Sequence, residues 1–127
     1  MKALSIKEFV TRIEFPIGIK SLKGKEKREQ TIKYLIGYLA EHFNDAIRSE
    51  ALNKLKRFGK EAASELINQL DDNNRYVRKD AAKALGDFGI IAHEAIPRLI
   101  QIIETDREDL VFEEAFSSLM KIGKCIK

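Results

Sequence analysis

The chain has 127 residues, 44% hydrophobic and 34% charged, enough apolar material for one core and too little length for a second. Seven glycines, two prolines and no tryptophan argue against a turn-rich β-sandwich and for long helices, and the apolar patterning excludes a disordered chain. The one cysteine, Cys125, excludes an internal disulfide and points to a cytoplasmic protein.

Residues 1–7 hold no continuous apolar stretch, and no apolar run in the chain approaches about 18 residues. Neither export nor membrane insertion is expected. The formal net charge is +3, unevenly divided: residues 1–60 hold 14 Lys and Arg against 7 Asp and Glu, residues 61–127 hold 9 against 13. Such a division fits a patch for an anionic partner, head-to-tail self-association, or helix faces that differ only in their solvated charges.

In chain order, Ser5-Ile6-Lys7-Glu8 is a capping-box pattern that opens a short helix through Phe9, Val10 and Ile13. Phe15-Pro16-Ile17-Gly18 breaks it. Residues 18–27 read as a basic loop, and the tract Lys20, Lys23, Lys25, Lys27, Arg28 and Lys33 is a candidate anion-binding surface. A helix is expected over about residues 26–43, with Ile32, Leu35, Ile36 and Leu39 on one stripe.

From residue 46 onward the chain repeats itself. Arg48, Ala51, Leu55, Phe58 and Gly59 recur 30 positions later as Arg78, Ala81, Leu85, Phe88 and Gly89. They recur again, 34 further on, as Phe112, Ala115, Leu119, Ile122 and Gly123. Ala81, Leu85 and Phe88 stand at i, i+4 and i+7, one face of a 3.6-residue period. Each terminal glycine follows the last apolar residue, where a left-handed conformation ends a helix at least cost.

Second helices follow the first two glycines, with cores predicted at Ala63, Leu66, Ile67, Leu70 and at Ile96, Leu99, Ile100, Ile103. The turn before the latter carries three extra residues near Ile90-Ile91-Ala92, and Pro97 sits early in its helix, where a missing N–H matters little. The connections Asp71-Asp72-Asn73-Asn74 and Thr105-Asp106-Arg107-Glu108-Asp109 offer capping side chains to the helices that follow.

The stretch from Tyr76-Val77-Arg78 through Ala81-Ala82-Lys83-Ala84-Leu85-Gly86-Asp87-Phe88-Gly89, followed by Ala95-Ile96-Pro97-Arg98-Leu99-Ile100, resembles a HEAT repeat. It is most similar to the short kind found in phycobilisome-lyase-like proteins and prokaryotic scaffolds. The third copy departs from the pattern, because Phe112 replaces the arginine and no second helix follows. The resemblance implies an all-α fold, an α-solenoid of stacked antiparallel helix pairs in a single domain over 1–127. Within it a degenerate N-terminal repeat with the basic loop covers 1–43, repeats cover 44–73 and 74–106, and a partial repeat covers 107–127. It also implies a structural ladder in which Arg48 and Arg78 pair with an inter-repeat aspartate, with Asp45, Asp71 and Asp72 as candidates; Arg suits such bidentate, partly buried pairing.

Solenoids bind along the wall formed by their second helices. Here the rows are Tyr34, Glu65 and Arg98; Gly37, Asn68 and Gln101; and Tyr38, Gln69 and Ile102. A wall of mixed charge suits a protein or peptide partner, for which Tyr and Arg are favoured anchors, better than a phosphate backbone. Tyr34 and Tyr38 equally suit a purely structural place at the N-terminal edge. The stripe Ala115, Phe116, Leu119 and Ile122 has no following helix, so three readings stay open: a longer protein, a different packing of the last helix, or a homodimer or partner interface.

Catalytic constellations are missing from the sequence. None of the Gly-Lys pairs has the spacing of a phosphate loop, and His42, His93 and Cys125 are too dispersed for zinc. His93-Glu94 is a single pair and lies before the second helix, whereas deoxyhypusine hydroxylase, a HEAT-like enzyme that this chain resembles, uses several such pairs within first helices to hold iron. The expectation is a non-enzymatic scaffold without cofactor, binding a protein or peptide through its second-helix wall or open C-terminal end. The alternative is a nucleic-acid-binding module resembling HEAT-like DNA glycosylases and using the basic tract. A third reading, an accessory to bilin attachment, is implied by the lyase-like resemblance alone.

Overall fold

A computed structural model describes residues 13–40 and 43–126. The helix expected from the Ser5–Glu8 pattern, and His42, lie outside the described residues. Among those described, every regular element is helical. The chain divides into two compact units, Met1–Phe58 and Gly59–Lys127, and each is taken by itself.

In the first unit, α1 (Ile17–Lys20) and α2 (Gly24–Ile36) are followed by a 3-10 turn (Gly37–Leu39) and α3 (Asp45–Arg57). The tract expected as a basic loop is therefore largely helical. The Pro16 carbonyl accepts the N–H groups of Ile19 and Lys20 at 3.0 Å, and the Ser21 hydroxyl donates to the Gly18 carbonyl at 3.1 Å. These bonds fold the lysine-rich segment onto itself. Gly24, at φ +60°, then turns the chain into α2. The helix expected to run to residue 43 ends at Ile36 and tightens into the 3-10 turn.

Asn44 starts α3, its side chain accepting the Ile47 N–H at 2.8 Å. Ile32 and Leu35 of α2 and Ala51 and Leu55 of α3 form the buried seam between the two helices. Their spacing is the helical period read from the sequence.

In the second unit, α4 (Lys60–Gln69), α5 (Arg75–Phe88), a 3-10 segment (Gly89–Ala95), α6 (Ile96–Thr105) and α7 (Asp109–Cys125) follow in order. Gly59 and Gly89 have φ of +58° and +61°, the left-handed backbone favoured where a helix ends, and Gly89 turns the chain from α5 into the 3-10 segment. The three-residue excess expected near Ile90 is taken up by the 3-10 segment, which buries Ala92 and Ala95.

Helix α5 is the central element, packed against both α4 and α7, while α6 also lies on α7. Its inner positions Ala81, Ala82, Ala84, Leu85 and Phe88 are buried. Leu66, Leu85 and Leu99 are completely withdrawn from solvent, each contributing about 1.5–3 kcal/mol by burial. The contact between α5 and α7 is closest at Gly86. A β-carbon there would lie 2.8 Å from the Ser118 Cα, and the buried Ser118 hydroxyl donates to the Ala82 carbonyl at 2.5 Å. Only hydrogen fits at residue 86.

Three expectations change. Gly123 does not end its helix: its φ is not positive, and α7 continues through it to Cys125. On α6, Ile102 is buried and Ile100 is 41% exposed, the opposite of the expected phase. The helix is rolled so that Leu99 and Ile102 face the core while α7 packs alongside. On α7 the buried stripe is Val111, Ala115, Ser118 and Ile122, with Leu119 half-buried at its margin.

Gly86→Ala is expected to lose about 1–3 kcal/mol in urea unfolding through overpacking against α7. Gly123→Ala, with nothing within 4 Å of the new methyl, is expected to gain about 0.5–1 kcal/mol from helix propensity. Equal, small effects at the two glycines would contradict this packing.

Candidate functional site

An open groove of about 430 Å³ lies in the second unit where α4 and α6 end. Leu70 and Ile102 supply apolar lining. Asp71, Asp72 and Asn73 enter from the connection after α4, Arg78 from α5, Arg98, Gln101 and Thr105 from α6, and Asp106 and Arg107 from the connection after it. The helix ends place these side chains: Asn74 starts α5 by accepting the Tyr76 N–H at 2.8 Å, and the Asp72 carboxylate accepts the Asn74 N–H at 2.8 Å.

Two arginines organise the groove. Arg78 donates from Nε to Asp106 at 2.8 Å and from Nη2 to the same carboxylate at 3.3 Å. Its Nη1 donates to the main-chain carbonyls of Asp72 and Asn73 at 2.9 and 3.1 Å. One guanidinium thus ties together the connections that precede α5 and α7, using the planar fork only arginine provides. Arg98 is half-buried and donates to Asp71 and to the Gln101 side chain.

Asp106 is held below the usual carboxylate range. Burial alone opposes its charge, but the hydrogen bonds from Arg78 and from the Glu108 N–H, together with the Arg78 charge, outweigh that effect.

The sequence of residues 28–120 matches the family model of HEAT repeats. The chain belongs to the HEAT-repeat family. Comparison with the curated proteins and with the solved structures returns no match. The fold class is accordingly the all-α solenoid built of stacked helix pairs.

Within the HEAT framework, the carboxylate that Arg78 takes is Asp106; Asp72, expected in that place, contributes its main-chain oxygen and uses its carboxylate to cap. The reason is reach: Asp106 begins the connection to the next helix and is almost buried beside the guanidinium, whereas Asp72 is exposed. Arg48, the matching residue of the preceding repeat, pairs with Asp45 on its own helix, and its buried Nε has no acceptor among the described residues. Equivalent letters in the repeat therefore have different environments.

The wall candidates fall into separate units. On α4, Asn68 is exposed and Glu65 and Gln69 are half-buried; on α6, Gln101 is exposed and Arg98 half-buried, both on the groove. Ile102, expected in the outer row, is core. Tyr34 and Tyr38 belong to an aromatic cluster of the first unit, running from Phe15 through both tyrosines to Phe43 with centroid separations of 5.5, 5.4 and 4.8 Å. Tyr34 donates to the Glu14 carbonyl at 2.7 Å and meets the Tyr38 hydroxyl at 3.1 Å. The bond to Tyr38, then burial, holds the Tyr34 hydroxyl above its ordinary pKa.

The basic candidates also separate. Lys20 and Lys27 flank a small apolar slot of about 180 Å³ formed with Phe15, Ile19 and Thr31. Lys25 pairs with Glu29 at 3.8 Å, and helical spacing puts Lys25 and Arg28, three residues apart, on one side of α2 and sends Lys27 to another.

Asp106 contributes stability at neutral pH that disappears as pH falls through its lowered native pKa. In urea unfolding, Asp106→Asn is expected to be weaker than the parent by on the order of 2 kcal/mol at pH 7. That gap should shrink towards pH 3. A gap unchanged across this range would contradict the Arg78–Asp106 linkage.

Proposed function

We propose that this HEAT-repeat chain is a non-enzymatic scaffold that binds a protein segment along α4 and α6, with the groove at their ends as the anchoring point. The observation that carries the reading is the groove itself: a concave, mostly polar surface on which arginine, amide and carboxylate groups stand on fixed helix ends around the buried Leu70 and Ile102. Arg98 and Gln101 face it bonded to each other, and Arg98 also to the exposed Asp71; a peptide carboxylate would take the place of Asp71 on the guanidinium. Glu65, Asn68 and Gln69 extend the polar surface along α4. Arg78 and Asp106 form the rigid back of the groove, since their hydrogen bonds are already satisfied internally.

Lys27 stands apart from Lys25 and Arg28 on α2, and Lys25 is paired with Glu29; this interruption favours the reading over nucleic-acid binding, which uses a continuous cationic track. The repeat boundaries at 1–43, 44–73, 74–106 and 107–127 are proposed with it, the last a partial repeat of a single helix that adds nothing to the binding wall.

A random 12-residue peptide library displayed on phage and panned on the full chain tests the proposal. Enriched peptides are expected whose affinity drops about tenfold or more, some 1.4 kcal/mol, in Arg98→Ala or Gln101→Ala. No enrichment, or peptides indifferent to both substitutions, would speak against the groove.

A further inference from the structure

Helix α7 carries a second surface, on the side opposite its buried stripe. Phe112, Phe116 and Met120 are 40%, 51% and 52% exposed, and helical spacing sets them in one row. The Phe112 and Phe116 rings are stacked, 6.3 Å apart at an interplanar angle of 15°. Three large apolar side chains in line on an exposed helix mark a contact surface more than scattered surface hydrophobicity.

Charge is ordered along the same helix. Exposed Asp109 and Glu113 lie towards its start, exposed Lys121 and Lys124 towards its end. Lys121 is held by Asp87 of α5 at 3.3 Å, so among the described residues Lys124 is the cation left at the end of the row. Two such helices laid parallel would bring acid against acid and base against base. Laid antiparallel, with Phe116 on the two-fold axis, they place Phe112 across from Met120 and Asp109 within reach of Lys124. The helix dipoles then also oppose each other favourably.

We infer that the occupant of this surface is a second copy of the chain, joined through an isologous, antiparallel α7–α7 seam. The inference is independent of the groove, which is built from other helices. A seam of one helix per copy is smaller than a standard interface, so association is weak and concentration-dependent.

Sedimentation velocity of the full chain between 10 µM and 1 mM tests it. A rise towards twice the chain mass is expected, and Phe116→Asp should weaken association at least tenfold while the far-ultraviolet circular dichroism stays unchanged. Asp109→Lys and Lys124→Glu should each weaken it several-fold. Either the double variant Asp109→Lys/Lys124→Glu or an equimolar mixture of the two single variants should restore it. Should Phe116→Asp fail to fold, the charge variants decide the matter alone. A monomer at every concentration overturns the inference and leaves the face to a different protein. A dimer insensitive to the charge reversals overturns the antiparallel seam.

Discussion

The second unit depends on how closely α7 can approach α5. Helices normally keep 8–10 Å between axes because side chains intervene. Here the α5 face offers Ala82 and Gly86, and Ser118 enters the space they leave. The serine hydroxyl finds an acceptor in the Ala82 carbonyl, so a polar group is buried without being orphaned. Once α7 is seated there, Val111, Ala115 and Ile122 lose their solvent, and α6 has a surface to lie against. The groove follows from this seating, because the connections after α4 and α6 meet where Arg78 holds both.

Much of this architecture was legible in the recurring Ala–Leu–Phe–Gly spacing. Leu55, Leu85, Ala81 and Ala115 are buried as their positions in the repeat require, and Gly59 and Gly89 adopt the left-handed backbone that a helix end asks of glycine. The spacing did not reveal the roll of α6. A helix with isoleucine at residues 96, 100, 102 and 103 has apolar side chains on more than one face, and only the position of α7 decides that Ile102 goes inward and Ile100 outward. Gly123 was misleading too: its letter matches the pattern, but its φ is not positive and the helix runs on to Cys125.

The groove was less visible than the fold. Arg78 stood out, yet its carboxylate partner lies 28 residues away, and the aspartate-rich connections gave several equivalent candidates. Choosing among them needs the register of α5 against α7, which is a tertiary property. Arg98 and Gln101 were legible because the repeat places them on an outer helix face. The tyrosines at 34 and 38 look like binding residues from their type, but their rings and hydroxyls are engaged with Phe15, Phe43 and Glu14 in the first unit.

If the Gly86–Ser118 contact is the keystone of the second unit, the backbone amides of α5 and α7 must open together. Native-state hydrogen exchange under increasing urea tests this most directly. The account predicts that the amides of residues 81–86 and 115–122 share one opening free energy, the highest in the second unit, with α6 opening at or below it. Amides of α7 that exchange at markedly lower free energy than those of α5 would contradict the claim that these two helices form a single cooperative core.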